Sequence, residues 1–167
     1  FDLTEYSIPV GVTSIGARTF FGCTLLTSVA IPNSITSIEY GAFQNCSSLM
    51  SITIPENVTS IGSYAFYGCS SLINAPELPA MTLELACYRD MFYGCTSLTT
   101  APELPETTLA SNCYVSMFYN CTSLTNVTMG NNVIVIYGYV FHNCTSLTEI
   151  IIPDSVKYIG GSAFDEC

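Results

Sequence analysis

Apolar residues recur along the chain in a fixed order, at intervals of 23 or 26 residues. In one example, Ile61 is followed by Phe66, then by Cys69 three residues later, and then by Leu72 three residues after that. A repeat of this length predicts a solenoid, in which each coil buries its apolar edge against the next coil. One cysteine of each repeat marks the ends of coils 1 to 7: Cys23, Cys46, Cys69, Cys95, Cys121, Cys144 and Cys167.

The apolar pattern also predicts short strands. The stretch from Leu49 to Ile54 places apolar residues at period two after a leading leucine, which is typical of a strand, and the same pattern recurs in other coils. These strands should stack in parallel from coil to coil. A second extended piece is predicted from Val58 to Ile61, and a short turn around Phe66. Prolines that lack a donor should end the strands: Pro9, Pro32, Pro55 and Pro153.

The residue before the repeat cysteine is glycine or asparagine in the first six coils. Both residue types tolerate a positive φ, so this position predicts a left-handed turn residue. Coil 7 departs from the pattern with Glu166. The six residues are Gly22, Asn45, Gly68, Gly94, Asn120 and Asn143.

The segment from Ile54 to Leu72, IPENVTSIGSYAFYGCSSL, resembles the BspA-type leucine-rich repeat, and the resemblance covers the whole chain. It implies a mostly β leucine-rich-repeat solenoid, a curved right-handed array of about seven coils with a parallel sheet on its concave face. It also implies a role in adhesion or partner binding at the cell surface. The 26-residue coils carry Ala-Pro-Glu-Leu-Pro at 75–79 and 101–105 and look like a variant of the repeat. Gly130, in place of a strand-end proline, and Leu25, in place of serine, depart from the pattern.

The whole chain, residues 1–167, is predicted to form a single leucine-rich-repeat domain. Neither end carries a polar capping segment, and solenoids normally need such caps to cover the open core. We therefore expect the chain to be a piece of a longer array. Open ends also favour end-to-end self-association.

The charge balance narrows the range of partners. Thirteen carboxylates against three Lys and Arg residues give a formal charge of −10, which repels nucleic acid and anionic lipid. No apolar run reaches the roughly 18 residues of a membrane span, so we expect no membrane insertion by this segment. We expect an extracellular or cell-surface location, which the family resemblance implies.

The cysteines are predicted to serve the core. The repeat cysteines should form an inward ladder of free thiols, and a straight ladder does not converge on a metal as a tetrahedral zinc site requires. Cys87 and Cys113 occupy a position that is isoleucine in the other coils, which also indicates burial. A disulfide between these two cysteines is an open alternative.

No set of residues predicts catalysis. The sole histidine, His142, lies in a variable position, and the three basic residues lie far apart in the sequence. The chain is therefore predicted not to be an enzyme, with no catalytic residue, no cofactor and no metal. Glu77 and Glu103 should stack on adjacent coils, so a calcium site is a competing hypothesis to plain solvent exposure.

Two surfaces are candidates for binding. The first, here called the strand face, contains outward strand positions five and seven residues after the repeat cysteine: Ser51, Thr53, Asn74, Thr100, Asn126, Thr128 and Glu149. The second, the tyrosine ladder, lies two residues before the cysteine: Tyr67, Tyr93 and Tyr119. Another tyrosine row, seven before it, is a further surface hypothesis: Tyr88, Tyr114 and Tyr137.

The strand face is small, mostly neutral and flat, which favours a broad, weak interface over a deep pocket. The prediction is a cell-surface protein-binding or adhesion module whose partner is a host or neighbouring-cell protein or a glycan. Stacked tyrosines offer contact area at low entropic cost, but they can also simply shield the core. The alternative function is a passive spacer within a larger surface protein.

Overall fold

The structure is a computed structural model that describes residues 3–78, 88–102, 114–131 and 133–167. Short strands repeat along the described chain and none is longer than three residues. They are β1 (Glu5–Ser7), β2 (Ser14–Ile15), β3 (Ser28–Ala30), β4 (Ser37–Ile38), β5 (Ser60–Ile61), β6 (Val135–Ile136) and β7 (Tyr158–Ile159).

All strand pairs are parallel and join equivalent positions of neighbouring coils. β1 pairs with β3, β2 with β4, β4 with β5, and β6 with β7. Isolated parallel bridges from Asn74 to Thr100 and from Thr100 to Asn126 extend the alignment through the longer coils. The predicted parallel stacking is therefore confirmed where strands form, including a second extended piece, β5, within the predicted range 58–61. The strand predicted from Leu49 to Ile54 is wrong, as is its counterpart from Leu147 to Ile152, because in the described part of the chain the backbone there forms no strand hydrogen bonds with the neighbouring coils.

Each coil has three sides. The strand side follows the repeat cysteine and contains β1 and β3, and the back side contains the other five strands. The turn side comprises the six residues before the repeat cysteine and consists of hydrogen-bonded turns. The predicted turn around Phe66 is present there, with the Cys69 N–H donating to the Phe66 C=O at 3.2 Å.

The turn side carries the most regular backbone ladder of the molecule. At each of the six junctions between coils, three N–H groups donate to carbonyl oxygens of the next coil, at 2.7–3.3 Å. Between coils 2 and 3, for example, Phe43 donates to Ala65 and Asn45 to Tyr67. Backbone groups that are paired in this way can be buried without an unsatisfied donor or acceptor.

Two left-handed residues per coil allow this ladder to form. The predicted position before the repeat cysteine has positive φ throughout, and Glu166 adopts it as well, with φ 59°. A second position, five residues before the cysteine, was not predicted because it holds no common residue type. Its members are Arg18, Gly41, Tyr64, Asp90, Ser116, Tyr139 and Ser162.

The core is a stack of equivalent side chains from every coil. The repeat phenylalanines, from Phe20 to Phe164, stack with centroid distances of 5.2–5.7 Å and interplanar angles no greater than 13°. Beside them, each cysteine from coil 2 onward donates its thiol proton to the phenylalanine C=O of the preceding coil at 3.0–3.2 Å. Each of these carbonyl groups also accepts the N–H of the cysteine in its own coil, so the thiol is a second donor that links neighbouring coils.

The predicted free thiols are confirmed for all seven repeat cysteines. Five are buried, whereas Cys23 is half-buried and Cys167 is exposed. Burial raises the pKa of the Cys144 thiol to about 12, with the neighbouring Cys167 as a smaller cause. The buried thiols are therefore protonated at neutral pH and behave as small apolar groups. Cys87 and Cys113, with their predicted burial and the alternative disulfide, lie outside the described residues.

Candidate functional site

All seven residues of the strand face are exposed. The alternation of inward and outward side chains along a strand accounts for this, since the intervening residues Ile52 and Val127 are buried. The alternation fails in the two longer coils, where the outward position is Pro76 or Pro102 and both prolines are buried. The fixed φ of proline departs from extended strand geometry, so the two faces are no longer kept apart there.

The strand side has one regular hydrogen bond per junction between coils. The residue four after the repeat cysteine donates its N–H to the equivalent C=O of the preceding coil, at 2.7–3.3 Å. Thr27, Thr99 and Thr125 add a side-chain hydroxyl bond to the same carbonyl, at 2.8–3.2 Å. This backbone hydrogen bond, here called the rung, is present at five successive junctions: Thr27–Thr4, Met50–Thr27, Ile73–Met50, Thr99–Ile73 and Thr125–Thr99.

The rung is missing at the sixth junction, between coils 6 and 7. Thr148 is the equivalent residue, but among the described residues neither its N–H nor its hydroxyl bonds to the Thr125 carbonyl. The two coils are nonetheless in register close by, because Thr145 donates its hydroxyl to Thr122 C=O at 3.3 Å. The two coils therefore diverge within the three residues that follow the Thr145–Thr122 hydrogen bond.

A groove with a volume of about 570 Å³ opens at this junction. It brings together three of the seven predicted strand-face residues, Asn126, Thr128 and Glu149. Polar and apolar residues line it in nearly equal number. The other lining residues are Thr125, Val127, Met129, Asn131, Thr148, Ile150, Ile151 and Pro153.

The other four predicted residues lie along the strand side outside the groove. Asn74 and Thr100 are aligned by their backbone bridge, and the Thr100 hydroxyl lies 3.5 Å from the Asn74 side-chain oxygen. Ser51 and Thr53 are exposed in coil 3 without strand pairing at their own positions. The strand face is thus one surface with a single depression, and sequence spacing alone gave no sign of that depression.

The tyrosine ladder is a continuous stack. Tyr67 and Tyr93 have ring centroids 4.7 Å apart, and Tyr93 and Tyr119 have centroids 4.6 Å apart, with interplanar angles of 10° and 4°. His142 continues the stack at 4.4 Å from Tyr119. Both faces of Tyr93 are therefore covered by neighbouring rings, so the ladder offers ring edges to a ligand.

The tyrosine ladder is flanked by further aromatic rings, and the sequence pattern did not single these out. Tyr64 contacts Tyr67 at 5.6 Å and Tyr40 at 5.2 Å, while Tyr139 contacts His142 at 5.9 Å. Tyr40 and Tyr64 differ by one residue in their spacing from the repeat cysteine, so a search by exact column missed this aromatic cluster. Tyr64 and Tyr139 both lie five residues before the repeat cysteine, and this shared spacing was the signal in the sequence that could have drawn attention to them.

The prediction that the second tyrosine row lies on the surface is wrong for two of its three residues. Tyr88 is fully buried and Tyr114 is 3% exposed, and their rings stack 5.7 Å apart within the core. Tyr137 is half-buried and packs against the core. The equivalent positions hold Gly16, Glu39, Gly62 and Gly160 in shorter coils, so this column has no fixed environment, and in the two longer coils the tyrosine packs inward.

Charged groups do not assemble into a metal or catalytic centre within the described ranges. No group of three or more His, Cys, Asp or Glu side chains there could hold a metal ion. Glu77 is exposed, whereas Glu103 lies outside the described residues, so the calcium hypothesis is untested. The His142 Nδ1 atom lies 3.6 Å from an Asp165 carboxylate oxygen, and its Nε2 atom lies 3.8 Å from a Glu166 carboxylate oxygen. Among the described residues, no serine, threonine or cysteine side chain is hydrogen-bonded to this imidazole. In the described part of the chain, no helix is long and apolar enough to cross a membrane.

Several solved structures share this architecture. A leucine-rich repeat protein from Eubacterium ventriosum is 29% identical, with a TM-score of 0.80 over 98% of this chain and 42% of its own. A leucine rich cell surface protein from Faecalibacterium prausnitzii is 34% identical, with a TM-score of 0.80 over 98% of this chain and 45% of its own. The T. pallidum leucine rich repeat protein is 26% identical, with a TM-score of 0.82 over 100% of this chain and 78% of its own.

The chain spans less than half the length of the solved structures from E. ventriosum and F. prausnitzii. No curated protein sequence matches it. The family model for the BspA type leucine rich repeat region matches in six copies, over residues 1–101 and 88–167. The match extends along the whole sequence, and this protein therefore belongs to the BspA-type leucine-rich repeat family.

Proposed function

We propose that the chain is the binding module of a cell-surface protein and that it engages a protein partner through the strand face. The observation that carries the proposal is the groove at the junction of coils 6 and 7, where three predicted strand-face residues converge beside exposed apolar side chains. The name of the similar F. prausnitzii protein, a leucine rich cell surface protein, supports an extracellular or cell-surface location.

The other two sides of the coil support this choice by contrast. The backbone of the turn side makes three hydrogen bonds at every junction between coils, and both faces of the Tyr93 ring are covered. The back side carries most of the strand pairs. Within the described ranges, the strand face has both exposed side chains and, at Ser51–Thr53 as well as Thr148–Ile152, backbone groups without a hydrogen bond, so it can offer a partner new hydrogen bonds.

The character of the surface constrains the partner. Ser51, Thr53, Thr100 and Thr128 are small and neutral, which suits a broad interface with modest affinity. The net charge of −10 favours a partner whose contact surface is basic or neutral, because like charges across an interface are destabilising. We expect this partner to be a host or neighbouring-cell surface protein.

A passive spacer is the second candidate function. The continuous phenylalanine stack and the unbroken ladder of the turn side are what a stiff connector requires, and neither needs a ligand. A spacer predicts that all residues of the strand face can be replaced without functional effect.

The test is a binding screen against extracellular-matrix proteins and glycans with wild type and a strand-face variant. The variant changes five exposed residues to lysine: Ser51, Thr53, Thr100, Asn126 and Thr128. A matched control adds the same charge at exposed positions elsewhere: Val10, Thr13, Thr24, Leu25 and Ile134.

We expect a protein ligand to bind wild type and the control variant but not the strand-face variant. Equal loss in both variants would place binding outside the strand face. Absence of any wild-type ligand in the screen would favour the spacer. Urea denaturation of all three proteins separates a loss of binding from a loss of folding.

A further inference from the structure

The junction between coils 6 and 7 has unpaired backbone groups on both walls of its groove. On one wall, the Thr125 carbonyl lacks the N–H that the equivalent carbonyl receives at the other five junctions, and Val127 has no backbone hydrogen bond among the described residues. On the other wall, the backbone from Thr148 to Ile152 likewise has no backbone hydrogen bond among the described residues. Backbone donors and acceptors exposed along an extended segment are what an added strand recognises.

The side chains around these backbone groups match an extended peptide. Ile150 and Ile151 line the wall formed by coil 7, and Ile151 is 78% exposed, so this wall presents an apolar side chain to solvent. Asn126 and Thr128 face the same groove with polar groups. A strand has side chains of alternating direction, so one bound segment can bury apolar residues on one wall and bond polar groups on the other.

The size of the groove fits such a segment. Its volume of about 570 Å³ lies within the roughly 300–1,000 Å³ of sites that bind small ligands and short peptides. Only a few residues of a partner can therefore be held here. The rest of a partner would lie over the flat part of the strand face.

Charge selects among the extended peptides. Among the residues that the structure describes, Glu149 is the only charged one that lines the groove, and the whole chain carries a net charge of −10. A lysine or arginine in the bound segment can pair with this carboxylate, whereas an acidic residue is repelled.

We propose that the groove between coils 6 and 7 binds an extended polypeptide segment of a partner protein, by strand addition to Thr125–Thr128 or Thr148–Ile152, with a basic residue of the segment beside Glu149. This inference rests on the proposed function and adds the place and the kind of segment that is bound.

The probe is a library of random dodecapeptides displayed on phage and selected on the full chain. Enriched peptides are synthesised, and their dissociation constants are measured by fluorescence anisotropy. Thr128→Trp fills the groove, and Thr53→Trp is its matched control because Thr53 is an exposed threonine at the equivalent position of an earlier coil. Glu149→Gln removes the groove carboxylate, and Glu77→Gln removes one exposed carboxylate elsewhere.

We expect enriched peptides that contain lysine or arginine. Thr128→Trp should weaken their binding at least tenfold, while Thr53→Trp changes it less than twofold. Glu149→Gln should weaken it about two- to five-fold, in line with an exposed ion pair, and Glu77→Gln should leave it unchanged. Glu149→Lys provides a test at an exposed side chain if Thr128→Trp does not fold, and we expect it to remove the preference for basic peptides.

Two outcomes would overturn the proposal that the groove binds a peptide while leaving the proposed function in place. One is a protein ligand in the binding screen that depends on the strand face, together with no peptide enriched from the library. The other is a peptide whose binding is weakened equally by Thr53→Trp and Thr128→Trp, which would make the whole strand face the site. A peptide that is insensitive to all strand-face substitutions would overturn both.

Discussion

The turn side and the strand side of this solenoid repeat the same seven coils with different regularity. The turn side has three backbone bonds at every junction, whereas the strand side has one regular bond, and that bond is absent between coils 6 and 7. The turn side also carries the stacked phenylalanines and the thiol hydrogen bonds. The difference indicates that one side holds the coils in register, which leaves the other side free to diverge locally and to bind.

The largest expected effect comes from a break in the phenylalanine stack. Phe66 is fully buried and stacks between Phe43 at 5.5 Å and Phe92 at 5.7 Å. We expect Phe66→Ala to lower the free energy of unfolding by about 3–5 kcal/mol, as large-to-small core changes do. Urea denaturation measures the change. Ile151→Ala, at a 78% exposed strand-side residue, is the control and should stay within about 0.5 kcal/mol.

The next effect tests the thiol ladder. Cys95 is fully buried and donates to the Phe66 C=O at 3.2 Å; Cys95→Ala removes this bond and a buried sulfur, while the Cys69 N–H still donates to the same carbonyl. The expected loss is about 1–2 kcal/mol in the free energy of unfolding. Cys95→Ser retains a donor and should lose less. Cys167→Ala changes an exposed thiol, and a loss there as large as that at Cys95 would contradict the role of burial.

The thiols also predict a loss of stability in alkali. The pKa of Cys144 rises from 9.0 to about 12 on folding, so its contribution is complete below pH 9 and is lost as pH rises towards 12. The largest slope for one thiol is about 1.4 kcal/mol per pH unit. Urea denaturation at pH 8 to 11 should therefore show the gap between wild type and Cys144→Ala shrinking as the pH rises. A constant gap would show that this thiol ionises alike in both states.

The smallest effect concerns the left-handed position that the sequence pattern missed. Ser116 has φ 53°, a conformation that costs a non-glycine residue about 1 kcal/mol. Ser116→Gly should therefore raise the free energy of unfolding by about 0.3–1 kcal/mol. Ser97→Gly, on the strand side without a positive φ, should lower it. A loss of stability in Ser116→Gly would show that the serine side chain outweighs the backbone strain.

The repeat could be predicted from the sequence because the core residues recur at fixed spacing. The phenylalanine and cysteine positions, the parallel pairing of Ile38 with Ile61 and the left-handed residue Asn120 all follow from this periodicity. The outward positions of the strands were also predictable, since strand side chains alternate. That is why every proposed strand-face residue is exposed.

The features that could not be predicted from the sequence are those in which one coil differs from its neighbours. Thr148 has the same residue type as Thr125 and Thr99, yet it makes no rung, because the path of the backbone and not the side chain decides the bond. Tyr88 is buried whereas Glu39, at the equivalent position of coil 2, is exposed, and an alignment of columns cannot show this difference. Deviations from a repeat are set by packing between coils, and they include the candidate site.

Hydrogen exchange of individual backbone amides, followed by NMR at neutral pH, tests the division between the two sides most directly. We predict that the turn-side amides of Phe43 and Phe118 exchange only through global unfolding, while those of Val127, Thr148 and Ile151 exchange at least a thousandfold faster. Addition of a peptide selected from the library should slow exchange at the second set only. Equal protection of the two sets in the free protein would contradict the account, because the strand side would then be held as firmly as the turn side.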